Sequence, residues 1–227
     1  MQYTIYYDEE LKISLGRRIQ PGAKTMTTYD KTTWEKIGNF DNAFSSYGFE
    51  VPYRKNIINW VLELNPNELL NIGCCNGDYE AELRNLNYLS PITAFDVTPS
   101  CVTRARAREL SNVDFSVGNA VEPLRYKDKQ FSTVLFLNVL MHLPQPHQPI
   151  LKEVFRVSKQ HVIISNYGSL TTSYGNHEDT KHGPFLNHFI TKQDMIDMIP
   201  SGWKIKDLKE YRNPFGQLAF QYLFEAD

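Results

Sequence analysis

The chain has 227 residues, 41% of them hydrophobic and 22% charged, the balance of an ordinary globular domain with enough apolar material for a sizeable core. A formal net charge of −2 provides no basic field of the kind that draws nucleic acid or an anionic membrane, and no apolar run approaches a membrane span. Three cysteines, Cys74, Cys75 and Cys101, form neither a disulfide framework nor a C-x-x-C knuckle, and Met1-Gln2-Tyr3-Thr4 lacks the pattern of a signal peptide, so a cytoplasmic setting is expected.

Residues 1–52 stand apart as an N-terminal lid or hairpin extension. Tyr3-Thr4-Ile5-Tyr6-Tyr7 and Leu11-Lys12-Ile13-Ser14-Leu15 flank Asp8-Glu9-Glu10 in an alternating pattern that predicts a small hairpin. Pro21-Gly22 marks a turn, and Tyr29 to Trp34 opens a short helix with Asp30 near its cap. For the stretch through Tyr47-Gly48-Phe49, a lid with ligand contacts and a brace or homodimer contact weigh evenly.

From Tyr53 onward helical and strand patterns alternate. Tyr53–Leu64 has apolar residues at a helical period, and Pro66 closes it. Strands are predicted at Glu68–Ile72, Ile92–Asp96, Val113–Val117, Phe131–Leu137 and His161–Ser165. The intervening helices are Asp78–Leu86, with Tyr79, Leu83 and Leu86 available to the sheet, Pro99–Leu110 and Pro149–Val157. Five such cycles predict a parallel sheet covered on both faces. Residues 166–190 read as a long irregular insert of the length usually reserved for function. A helix at Thr191–Ile199 and two strand-like runs, Trp203–Tyr211 and Leu218–Phe224, complete the chain.

The first strand runs into Gly73-Cys74-Cys75-Asn76-Gly77, where glycine lets the backbone approach a ligand. The second ends on Asp96, at close to the roughly 20-residue spacing from that turn expected of a βαβ half-unit. A carboxylate there offers two acceptor oxygens to two neighbouring ribose hydroxyls. A dinucleotide site would need G-x-G-x-x-G, and the missing third glycine disfavours a nicotinamide oxidoreductase.

Asn71-Ile72-Gly73-Cys74-Cys75-Asn76-Gly77 resembles the first motif of the class I S-adenosylmethionine-dependent methyltransferases, acidic-x-Gly-x-Gly-x-Gly, with Asn71 at the acidic position and Cys75 at the middle glycine. Gly118-Asn119-Ala120 resembles the Gly-Asp-Ala that binds adenine in that family. Leu137-Asn138-Val139-Leu140-Met141-His142-Leu143 resembles the Asn-Val-Leu-Glu-His-Leu that follows its fourth strand. The likeness spans about residues 55–165. It implies an α/β, Rossmann-like doubly wound fold with a mostly parallel seven-stranded sheet and an antiparallel C-terminal hairpin edge. It also implies S-adenosylmethionine as cofactor, with Asn71, Gly73, Cys74 and Gly77 beneath the methionine part, Asp96 on the ribose, and Val97, Asn119, Ala120 and Val121 around adenine. Asn138 falls beside the methionine part and the acceptor. Cys75, in a glycine position, requires a negative φ or it stores strain.

The acceptor side is carried by histidines. The insert holds His177, Glu178, Asp179, His182 and His188, which read as general bases (His182 or His188), a divalent-metal cluster or solvated loop residues; no metal is assigned. His142 is a third catalytic candidate, set against a structural histidine. Tyr167 and Tyr174 are candidates to line the acceptor pocket. The expected function is methylation of a small polar molecule at oxygen or nitrogen by in-line transfer, without nucleic acid or membrane partners. The chain lacks the Asn/Asp-Pro-Pro-Tyr/Phe motif of base methylation in nucleic acid. The alternative is a non-catalytic S-adenosylmethionine-binding scaffold or partner subunit.

Overall fold

The computed structural model describes residues 31–38, 49, 51–180, 183–212 and 216–227. The strands at the centre of the sheet are those that are apolar on both faces: β1 (Leu69–Ile72) and β4 (Phe131–Leu137) are buried at every residue. β2 (Ile92–Asp96) and β3 (Val113–Val117) lie outside β1, and β5 (Ser158–Ser169) lies beyond β4, all parallel. β9 (Leu218–Ala226) pairs antiparallel with β5, and β8 (Trp203–Arg212) antiparallel with β9. The order β3-β2-β1-β4-β5-β9-β8 is the expected doubly wound sheet of seven strands with an antiparallel C-terminal edge.

Helices cover both faces. On one, α2 (Pro52–Leu64) with Ile57, Ile58 and Val61, α3 (Asp78–Asn85) with Leu83, and α4 (Pro99–Arg106) with Val102 and Ala105 form one core cluster. On the other, α5 (Gln148–Val157) packs Ile150, Leu151, Val154 and Phe155, joined by Met195 of α6 (Lys192–Asp197). Proline in the first turn starts α2, α4 and α5, where its missing N–H costs nothing. α4 stops at Arg106, short of the expected Leu110, and Glu109 beyond it turns to φ 51°. On α3 the buried positions are Glu80 and Leu83, whereas Leu86 is exposed.

The insert corrects the sequence reading. Its described residues are not irregular: β5 runs on to Ser169, and β6 (Tyr174–Thr180) pairs antiparallel with β7 (Gly183–Thr191). β7 then pairs parallel with the end of β5 through Gly168 and Ile190. The polar run Gly175-Asn176-His177-Glu178-Asp179-Thr180 has no apolar alternation to announce a strand; long-range backbone pairing makes it one.

The hairpin expected at residues 3–15 lies outside the described residues, as does most of the proposed lid. The short helix expected near Trp34 is α1 (Lys31–Gly38). Glu35 Oε2 of α1 accepts from the Ser100 N–H at the start of α4 at 3.3 Å, while Trp34 meets Phe185 of β7, ring centres 5.8 Å apart. α1 thus bridges elements from the two sides of β1. Among the described residues, no helix is long and apolar enough to cross a membrane.

Candidate active site

The strand order reverses at β1. The chain winds outward through β2 and β3, then returns to β4 on the other side, which opens a crevice at the carboxyl ends of β1 and β4. Ile72 is in register with both Phe95 and Phe136, so Gly73, Asp96 and Leu137-Asn138 emerge at one level. The Gly73 and Cys74 N–H groups both donate to Phe95 O, at 2.8 and 3.1 Å, and bend the chain across the end of β2. Gly73 has φ 80°, and a Cβ there would lie 2.2 Å from Val139 Cγ2. At Gly77, φ 73°, a Cβ would meet the Phe115 ring at 2.8 Å. Both glycines are demanded by conformation and by packing.

Cys75 falls on the strained side of the sequence expectation. Its φ is 48°, in the left-handed region, at a cost of about 1–2 kcal/mol for a side-chain-bearing residue. The conformation aims the Cys75 N–H at Asp96 Oδ2, 2.9 Å away, while the Thr98 N–H donates to Oδ1 at 2.9 Å. Two backbone donors thus fix the half-buried carboxylate and leave further lone pairs on each oxygen for a vicinal diol. Burial pushes the Asp96 pKa up, opposed by the hydrogen bonds from Cys75 and Thr98. Val97 is half-buried beside it.

The third strand tip is tied to the second by Gly118 N–H donating to Asp96 O at 2.9 Å. Asn119 shapes this loop with its own side chain: Oδ1 accepts from the Val121 N–H at 3.2 Å and Nδ2 donates to Glu122 Oε1 at 2.9 Å. Ala120 is half-buried and Val121 is exposed.

Beneath the glycine turn, Asn71 is buried, and its Nδ2 donates to Glu80 Oε1 at 2.6 Å. The Asn71 amide is thus directed into α3. Burial raises Glu80 to about 7, partly offset by the bond from Asn71. Cys74 is buried, and burial raises its thiol pKa.

At the carboxyl end of β4 Asn138 sits at φ 56°, its N–H donating to Ser165 O at 2.8 Å and its Oδ1 accepting from Ser165 Oγ at 3.1 Å. A single 3-10 turn, Leu140–His142, then brings His142 against the insert, where Nδ1–H donates to Leu186 O at 2.9 Å. That bond leaves the ring lone pair on Nε2. Trp34 lies 4.8 Å and Phe185 5.6 Å from the His142 ring, centre to centre, so α1, the turn after β4 and the insert converge there. Burial lowers His142 to about 4.

His188 does not join this group. It packs edge-on against His147 at 5.1 Å, closely backed by Gly175, and neither ring nitrogen has a hydrogen-bond partner among the described residues. Burial lowers it to about 4 as well. His182 lies outside the described residues, as do the side chains of Tyr174, His177, Glu178 and Asp179. Tyr167 stacks on Phe189, ring centres 6.2 Å apart. Sequence reasoning missed Trp34 and Phe185 as site residues, and Glu80, whose one signal was a carboxylate on the buried face of a helix.

Residues 70–165 match the family model described as a methyltransferase domain. Residues 70–165 thus carry a methyltransferase domain, and the chain has the fold of the class I S-adenosylmethionine-dependent methyltransferases. Similar solved structures carry the same fold at low identity. The N-methyltransferase NodS from Bradyrhizobium japonicum, in complex with S-adenosyl-L-homocysteine, aligns with TM-score 0.62 at 13% identity over 87% of this chain and 99% of its own. An S-adenosylmethionine-dependent methyltransferase from Mesorhizobium loti gives 0.62 at 11%, over 78% and 100%. The 1,6-didemethyltoxoflavin-N1-methyltransferase of Burkholderia thailandensis gives 0.60 at 17%, over 75% of each chain. No curated protein matches the sequence. The oriented, half-buried Asp96 and the two positive-φ glycines at the switch point fit the methyltransferase cofactor, S-adenosylmethionine.

Proposed function

We propose that this methyltransferase modifies a small polar acceptor at nitrogen. The observation that carries the reading is the junction of Trp34 and Phe185 with His142, which lies in the turn that follows Asn138 and is held at a pKa of about 4. When bound, S-adenosylmethionine supplies a methyl group activated on a sulfonium for in-line transfer. Asp96 holds the ribose hydroxyls, and the backbone from Gly73 to Gly77 passes beneath the methionine part. Val97, Asn119, Ala120 and Val121 surround the adenine, with the Asn119 turn fixing the loop that carries the last three. Asn138 orients the acceptor, and His142 Nε2 accepts a hydrogen bond from it. Trp34 and Phe185 exclude water from the transfer.

So weak a base cannot efficiently strip a hydroxyl of its proton, whereas an amine in its neutral form attacks through its own lone pair and sheds a proton after transfer. His188 carries the same weakness, buried against His147. Two of the similar structures are N-methyltransferases, which accords with the reading. A second reading, a cofactor-binding partner without turnover, draws on the strained Cys75 and on Asn71 turned away into Glu80. The test is S-adenosylhomocysteine release with matched panels of amines and alcohols, alongside calorimetric binding of S-adenosylhomocysteine. Turnover with amines supports nitrogen transfer, and turnover confined to alcohols overturns it. Tight binding with no turnover on either panel selects the partner reading.

A further inference from the structure

Cys75 and Cys101 belong to different elements, the turn after β1 and the first turn of α4, yet their sulfurs are 3.5 Å apart. Arg104, one turn further along α4, donates from Nη2 to Cys101 Sγ at 3.4 Å and from Nε to Asn76 Oδ1 at 2.9 Å, which fastens α4 to the same turn. Cys101 also sits where the helix N-terminus favours negative charge. The partly exposed Cys75 thiol faces it, and either sulfur can donate across the contact.

We propose that Cys75 and Cys101 are a peroxide-reactive pair whose disulfide releases the cofactor. Cys101 is buried and Cys75 partly exposed, so peroxide reaches the Cys75 sulfur first. The Cys75 thiolate attacks one peroxide oxygen; the O–O bond breaks, leaving a sulfenic acid on Cys75 and hydroxide, which takes up the proton the thiol released to become water. The Cys101 sulfur, losing its proton, then attacks the Cys75 sulfur and expels the sulfenic hydroxyl as a second water. Two thiols and one hydrogen peroxide become one disulfide and two waters, the sulfurs oxidised and the peroxide oxygens reduced.

A disulfide needs its sulfurs at about 2.05 Å, so closure draws Cys75 toward α4. The Cys75 N–H is one of the two donors that orient Asp96, and it moves with the sulfur. The effect on binding rests on S-adenosylmethionine occupying this site.

The test treats the full-length protein with hydrogen peroxide, maps its disulfides by non-reducing peptide mass spectrometry, and titrates S-adenosylhomocysteine before and after. A Cys75–Cys101 cross-link with at least a tenfold loss of affinity, reversed by dithiothreitol, is expected. Cys101→Ser and Cys101→Ala should keep the reduced affinity and lose the response to peroxide. A cross-link through Cys74, oxidation without any cross-link, or a Cys75–Cys101 cross-link with unchanged affinity overturns the proposal. Should reduced protein fail to bind S-adenosylhomocysteine, the cofactor assignment fails instead; the mapped cross-link then still decides whether the pair reacts.

Discussion

Asn71 and Glu80 form a buried amide–carboxylate pair under the glycine turn, with Asn71 Nδ2 donating to Glu80 Oε1 at 2.6 Å. The acid that the family motif keeps on the strand is here replaced by an amide, and a carboxylate stands on the facing helix instead. Its second oxygen, Oε2, has no hydrogen-bond partner among the described residues, so the charged form is costly.

That cost gives a pH dependence. Burial raises Glu80 from 4.5 to about 7, so between those values the folded chain keeps a proton that the unfolded chain has released. Stability should fall as pH climbs through that window and level off above it. Glu80→Gln keeps an acceptor for Asn71 and abolishes the ionisation. Urea denaturation should find this variant more stable than wild type at pH 8, by on the order of 2–3 kcal/mol, with the gap closing toward pH 5.

His188 works in the opposite direction. Held neutral to about 4 in the fold, against 6.5 when free, it contributes stability that is present above 6.5 and is lost as pH falls toward 4. His188→Leu removes both unpartnered ring nitrogens from a buried site. Thermal melts should show the variant stabilised by about 1–2 kcal/mol at pH 7, with its advantage growing as pH falls to 5.

Strain at Cys75 can be read by a pair of substitutions. Cys75→Gly relieves the φ of 48° but frees the unfolded backbone, for a net gain of up to about 1 kcal/mol. Cys75→Val puts a β-branched residue in the left-handed region and should cost about 2 kcal/mol. Chemical denaturation midpoints that rank glycine below valine would contradict the geometry.

Asp96→Ala removes the carboxylate proposed to hold the ribose and leaves the Cys75 and Thr98 N–H groups without their acceptor. Calorimetry should show S-adenosylhomocysteine affinity falling roughly 30- to 100-fold, about 2–3 kcal/mol, while the fold survives by circular dichroism.

What the sequence determined by itself was whatever is written locally and in chain order. Apolar runs too short for anything but buried strands set the parallel sheet, and Gly73, Gly77, Asp96 and Gly118 mark the turns at its strand tips. Each states its requirement within a few residues: a positive φ, a close backbone approach, or a carboxylate after a strand. Tertiary structure decided the rest, because those relationships join residues far apart. Pairing with β7 turned the polar insert into a hairpin, and β7 brought Phe185 and Leu186 to His142. The fold also set Trp34 over that histidine and placed Cys75 against Cys101 across 26 residues. Burial then lowered His142 and His188 and raised Glu80, because a pKa depends on the water that packing removes, and no motif spells that out.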